Sequence, residues 1–135
     1  MKEIEQLASL LEGFAEVRLA YLFGSVASGT ERTASDIDIA ILLQSPNDLE
    51  TQEKISAAIE RAFGRTVDLV DLAHAPPLLA HEIIRAGKLI LCRDEDEQVR
   101  FVTRTAARYL DTAHLRRVQH EYLRDRVEAL RGTPG

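Results

Sequence analysis

The chain has a single cysteine, Cys92, among its 135 residues. One thiol cannot form an intramolecular disulfide and offers no cysteine-based zinc cluster. The four histidines, at 74, 81, 114 and 120, share no metal-ligand spacing. No apolar run approaches the roughly 20 residues that a membrane-spanning helix needs. The amino terminus, MKEIEQLASLLEGF, is amphipathic and acidic, without the basic start and apolar centre of a signal peptide. These absences lead to the expectation of a cytoplasmic protein that makes no membrane contact. Internal repeats and low-complexity linkers are also missing. The length suits one domain with a real core and is too short for two, so a single domain over 1–135 is expected.

Positive charge is scarce overall, with a net charge of −5. That balance argues against a general nucleic-acid binder, and no direct nucleic-acid contact is expected. The charge is uneven, however. Residues 98–135 hold eight arginines against four acids, a balance of +4, which leaves −9 on the preceding 97 residues. A basic terminal segment on an acidic body suggests an anionic ligand or an acidic partner.

What is present alternates between two periodicities. Ile4, Leu7, Leu10, Leu11 and Phe14 recur at helical intervals. Apolar strands follow at 17–23 and 36–43. Ser45-Pro46-Asn47 breaks the chain, and a helix over 48–63 ends at Gly64. A third strand covers 66–72. Pro76-Pro77 opens another helix, closed by Gly87, before a short strand at 88–92. After the acidic cluster 94–97 one long helix is expected to run roughly to Leu130, over 98–131. Its apolar stripe is Val102, Ala106, Tyr109, Leu110, Ala113, Val118, Tyr122 and Leu130. The order of elements predicts an α/β domain with a small mixed sheet and a long C-terminal helix.

The chemistry concentrates in YLFGSVASGTERTASDIDIAILL. Gly24-Ser25 ends one apolar strand, and Asp36 and Asp38 open the next. On that strand Asp36, Asp38, Ala40 and Leu42 share one face, and Ile37, Ile39, Ile41 and Leu43 the other. Carboxylates at i and i+2 point the same way with Cα atoms about 7 Å apart. Such anions repel unless a cation sits between them. Hard oxygen ligands suit Mg²⁺, which commonly binds one or two carboxylates plus substrate phosphates. Glycine at 24 lets the backbone approach a phosphate, and the Ser25 hydroxyl and nearby N–H groups are donors for it. The helix at 48–63 makes the strands on either side of it parallel neighbours. Asp68 then lies beside Asp36 and Asp38, on a face shared with Thr66 and Val70, whereas Asp71 points the other way. Three converging carboxylates can hold two divalent cations, an arrangement suited to phosphoryl or nucleotidyl transfer.

Gly24-Ser25, ten residues, Asp36-x-Asp38, then Asp68 on a later strand resembles the nucleotidyltransferase superfamily that includes DNA polymerase β. The small size and the wording YLFGSVASG…SDIDIAILL are similar to the minimal nucleotidyltransferases. The C-terminal stretch RYLDTAHLRRVQHEYLRDR is similar to that of their antitoxin branch, whose partners are HEPN-domain ribonuclease toxins. The resemblance runs from the first strand to the end of the last helix. It implies a polymerase β-like fold and Mg²⁺-dependent transfer of AMP from ATP to a tyrosine of the toxin, which blocks its RNA cleavage. By the same resemblance, Asp36 and Asp38 bind both Mg²⁺ ions and Asp68 completes the catalytic one. Asp68, or a water near it, takes the proton of the attacking hydroxyl. Gly24 and Ser25 hold the β- and γ-phosphates. Val26 and Ser28 stand where some relatives carry a basic residue, which leaves Arg32 to supply charge to the triphosphate. Two other functions remain open at this level. One is an antitoxin that acts by binding alone, for which three clustered carboxylates have no use. The other is an enzyme that modifies a small molecule such as an aminoglycoside, which often needs an added domain.

Overall fold

The computed structural model describes residues 2–24 and 36–132. Ser25 and Arg32 lie outside the described residues, as does the side chain of Leu130. In chain order the elements are α1 (Lys2–Glu12), β1 (Val17–Phe23), β2 (Ile37–Leu43), α2 (Leu49–Phe63), β3 (Val67–Asp71), α3 (Pro77–Ala86), β4 (Lys88–Cys92), α4 (Glu95–Asp111) and α5 (Ala113–Gly132). The strands form one mixed sheet in the order β3-β2-β1-β4. β1 is antiparallel to both β2 and β4, and β2 is parallel to β3. The parallel pair joined through α2 is the one expected from the length of that connection.

Strand parity sorts the residues into two layers. Ile37, Ile39, Ile41 and Leu43 of β2 pack with Leu7 and Leu11 of α1 and with Ile55 and Ile59 of α2. Leu19 and Tyr21 of β1 and Ala40 of β2 pack on the other face, with Ile83 of α3 and Phe101 of α4. The even face of β2 is therefore apolar where α3 and α4 cover it, and it turns to carboxylates at its open N-terminal end. Local signals set the helix limits. Asp48 caps α2 by accepting the Thr51 N–H at 3.1 Å, and Gly64 ends it in the left-handed region, at φ 63°. Pro77 occupies the first turn of α3, where its missing N–H costs nothing. Asp94 caps α4, and Glu95, Asp96 and Glu97 fill its first turn, where the helix dipole favours negative charge. The acidic cluster thus caps and opens the helix.

The single helix expected over 98–131 is divided at Thr112 into α4 and α5, and α4 begins earlier, at Glu95. Thr112 turns its hydroxyl back onto the carbonyl oxygens of Arg108 and Tyr109, a back-bonding that bends helices. The interruption divides the expected apolar stripe. Phe101 and Thr105 are the buried positions of α4, Val102 and Tyr109 are half-buried, and Ala106 and Leu110 are exposed. The packed face therefore lies one position to the N-terminal side of the one read from periodicity. Beyond Thr112 none of the described side chains is buried. Tyr109 is sandwiched at the interruption. The His81 ring of α3 stacks on it with centroids 3.8 Å apart, and the Arg116 guanidinium of α5 lies 4.0 Å from its centroid.

Burial predicts how substitutions divide. Ile59→Ala, at a fully buried site under the sheet, is expected to cost about 2–5 kcal/mol in urea unfolding. Leu110→Ala, at a position 69% exposed, is expected to change stability by less than about 0.5 kcal/mol.

Candidate active site

The site is built where β1 ends and where β2 and β3 begin. The antiparallel ladder pairs Phe23 with Asp38, so Gly24 emerges beside the Asp38 side chain. The parallel ladder pairs Asp38 with Asp68 directly. Paired residues on neighbouring strands project to the same face, so these two carboxylates stand side by side. Asp36 precedes β2 on the same parity. The Ile37 N–H donates to the Thr66 carbonyl at 2.9 Å, and the Thr66 hydroxyl donates to Asp36 Oδ1. Thr66 thus holds the third carboxylate on the shared face.

Gly24 adopts φ +76°, a region that L side chains avoid. A Cβ there would run into Asp38 Oδ2 and stand 3.1 Å from its Cγ. Two independent constraints therefore exclude a side chain: the backbone conformation and the carboxylate packed against it. The electrostatics match the geometry. The Asp38 carboxyl is pushed above the ordinary carboxylate range, first by burial, then by Asp68, then by Asp36. Asp36 and Asp68 are exposed, while Asp38 is half-buried between them.

Asp71 has a different environment. Its Oδ1 accepts the Ala73 N–H at 3.0 Å, and its Oδ2 lies 2.8 Å from His74 Nδ1 and 3.5 Å from Gln52 Nε2. It braces the turn after β3 on the α2 side, as strand parity predicted. Sequence reasoning did not find two features. One is the hydrogen bond from Thr66 to Asp36, although the shared parity of Thr66 and Asp68 was legible. The other is a cleft of about 350 Å³ between the end of β1 and α3, lined by Phe23, Gly24, Leu79, Glu82, Ile83 and Ala86. No local pattern marks a helix that approaches a strand end from a distant part of the chain.

The oxygen donor set fits a hard divalent cation. Among the described residues, no three His, Cys, Asp or Glu side chains form a ready-made metal cage. The carboxylates would therefore supply part of a coordination shell, with the rest left to phosphate oxygens and water, as is usual for Mg²⁺.

Residues 5–96 match the family described as polymerase beta, nucleotidyltransferase. The chain belongs to this family. The nucleotidyltransferase is 30% identical over 109 residues to protein adenylyltransferase MntA of Shewanella oneidensis, a match that covers 81% of this chain and 78% of that one. Its fold is similar to that of a chain in a toxin–antitoxin crystal structure with AMP-PNP, with a TM-score of 0.72 and 28% identity over 94% of this chain and 99% of that one. A structure of tri-AMPylated Shewanella oneidensis HEPN toxin in complex with MNT antitoxin matches with a TM-score of 0.67 and 25% identity, over 94% and 99% of the two chains. The family expected from the residues is thus the family found, with the polymerase β-like fold.

The raised pKa of Asp38 has a signed consequence. A carboxyl that binds its proton more tightly when folded favours folding below its unfolded value, and that contribution is lost as pH rises through the folded pKa. At neutral pH the metal-free nucleotidyltransferase carries the repulsion in full. Asp38→Asn is expected to raise the apo Tm at pH 7, and the advantage should shrink as pH falls into the range where carboxylates take up protons. Thermal melts of both proteins across this range check it. Gly24→Ala is expected to be less stable by about 1–2 kcal/mol from its positive φ alone, as measured by chemical denaturation.

Proposed function

We propose that this nucleotidyltransferase is an antitoxin that transfers AMP from ATP to a tyrosine hydroxyl of a HEPN-domain ribonuclease toxin and so neutralises it. One observation carries the reading: the register places Asp38 and Asp68 side by side, with Asp36 on the same face and Gly24 against Asp38. A protein acting by binding alone gains nothing from these carboxylates and bears their repulsion. The near full-length likeness to antitoxin chains, one of them with AMP-PNP, supports ATP as donor and the toxin as acceptor. ATP as donor also fits a cytoplasmic site of action. No described helix is long and apolar enough to cross a membrane.

Asp36, Asp38 and Asp68 would hold Mg²⁺. When bound, Mg²⁺ neutralises charge on the triphosphate and on the pyrophosphate leaving group. The chain's own residues do the rest. Asp36 and Asp38 would fix that cation, and with it the charge that attracts the triphosphate, at the open end of β2 and β3. Asp68, exposed at the sheet edge, accepts the proton of the attacking tyrosine hydroxyl. A bond forms from the tyrosine oxygen to the α-phosphorus as the bond to the bridging oxygen of pyrophosphate breaks. Gly24 leaves room for phosphate oxygens beside Asp38. Ser25 and Arg32 complete the phosphate contacts in this proposal.

Transfer of label from ATP to the toxin, followed by mass spectrometry, tests the assignment. Asp38→Asn is expected to abolish transfer and also the rise in Tm that Mg²⁺ with ATP gives the wild type. Asp68→Ala should lower turnover by about 10²-fold or more, the range for loss of a general base, while Asp71→Ala acts through stability. Wild-type turnover for Asp68→Ala with loss for Asp71→Ala would reverse the assignment.

A further inference from the structure

Asp68 lies on a strand at the rim of the sheet. Among the described residues β3 pairs with β2 and with no other strand. The hydrogen bonds at its two ends fix which backbone groups stay free. The Ile37 N–H donates to the Thr66 carbonyl, and the Leu72 N–H donates to the Ile41 carbonyl. Even-numbered residues of β3 therefore bond to β2, and the backbone groups of Val67, Leu69 and Asp71 point outward. Glu60 Oε1 accepts the Val67 N–H at 3.3 Å, and the Asp71 carbonyl accepts the His74 N–H at 3.1 Å. The Val67 carbonyl and both groups of Leu69 are left at the open edge. Such an edge is where an extended peptide adds as a further strand. Beside it, a cleft of about 400 Å³ separates Leu69 from α2, where Ser56 and Ala57 are small and Glu53 and Glu60 are acidic.

We propose that an extended, tyrosine-bearing segment of the acceptor protein adds antiparallel to the outer edge of β3, with its tyrosine opposite Asp68. Leu69 offers both its N–H and its carbonyl outward, so an antiparallel strand makes a hydrogen-bonded pair there. Asp68 then falls in a non-hydrogen-bonded pair, where Cα atoms stand about 4.5 Å apart and side chains are closest. Residues opposite each other project to the same face, so the tyrosine shares the face of the three carboxylates. Its phenol gives its proton to Asp68 as its oxygen bonds to the α-phosphorus and pyrophosphate leaves. Alternate residues of the segment project to the α2 face instead. The residue before the tyrosine lies opposite Leu69 and enters the cleft at Ser56 and Ala57, which suits an apolar side chain. The residue three before it lies opposite Asp71. Gln52 Nε2 is 3.5 Å from Asp71 Oδ2, and Glu53 follows Gln52, so a basic side chain at that place meets the Glu53 carboxylate. The acceptor sequence is thus basic, any residue, apolar, tyrosine. Pairing at the edge supplies affinity through the backbone, and the cleft supplies selectivity.

The edge pairing rests on the transfer to tyrosine proposed above, and the test separates the two. Label from ATP on the intact toxin reads the transfer. Label on the peptide Thr-Lys-Thr-Val-Tyr-Val-Thr reads the pairing, and the full-length wild type is expected to modify it. Methylating the backbone nitrogen of the valine before the tyrosine removes the N–H that the Leu69 carbonyl accepts. This should lower kcat/KM by about 10-fold or more. Methylating the tyrosine nitrogen, which faces away from β3 in this register, should leave kcat/KM unchanged. Glu53→Lys should lower kcat/KM for the same peptide, and the peptide with glutamate in place of lysine should restore it. The Tm rise with Mg²⁺ and ATP should stay at the wild-type value throughout. Equal effects of the two N-methyl groups, or a labelled toxin with an unlabelled peptide, would overturn the pairing. Failure of the charge swap to restore turnover would remove Glu53 from the contact. A free chain that sediments as a dimer, and that Leu69→Pro converts to monomer, would assign the edge to a second copy instead. If the wild type labels neither toxin nor peptide, the transfer itself fails.

Discussion

The pairing of Asp38 with Asp68 across the parallel β2–β3 ladder is the constraint on which the site depends. Two carboxylates side by side, with a third from Asp36, are an unfavourable arrangement for a metal-free protein. The register holds because the opposite face of the same strands is apolar and fully used. Ile37, Ile39 and Ile41 are buried against α1 and α2 with Ile55 and Ile59, and Val67 and Leu69 pack against the same cluster. A slip of one residue would turn this apolar set to solvent and the carboxylates into the core. Packing on one face thus stabilises electrostatic repulsion on the other. A bound divalent cation would relieve that repulsion.

Gly24 belongs to the same constraint. Its φ of +76° carries the chain out of β1 beside Asp38, and its missing side chain leaves the Asp38 carboxylate where it stands. Thr66 plays the corresponding part on the other side by donating to Asp36. The carboxylates are therefore positioned from three strand ends at once. Asp71 shows the contrast. It is close in sequence but on the opposite parity, and both its oxygens are used to brace the turn after β3.

The C-terminal helices divide between the body and solvent. α4 is anchored by Phe101 in the core and by the Arg18–Glu97 pair, with N···O 2.9 Å. α5 is joined to the body at its base by the His81–Tyr109–Arg116 stack. The uneven charge spans both helices. Arg100, Arg104 and Arg108 lie on α4, and Arg116, Arg117, Arg124 and Arg126 on α5.

Much of this was legible in order along the chain. Alternation of apolar residues defined β2 and put Asp36 and Asp38 on one face, because a strand has a period of two whatever packs on it. The length of the α2 connection made β2 and β3 parallel and brought Asp68 rather than Asp71 to them. Caps and breakers at Asp48, Gly64 and Pro77 bounded the helices through local hydrogen bonding and fixed φ. What remained open depended on contacts between distant segments. Periodicity continued through Thr112 because helical spacing says nothing of a hydroxyl that bonds back to its own helix. The packed face of α4 was chosen by where α3 and the sheet lie, so Phe101 and Thr105 are buried and Leu110 is not. The donation from Thr66 to Asp36, the cleft of α3 at Gly24 and the stack on Tyr109 each join elements far apart in sequence. Local sequence determined which residues could carry the chemistry, because face and turn are set within a few residues. Only the tertiary structure decided which of them meet, because that depends on how whole elements bury their apolar faces against one another.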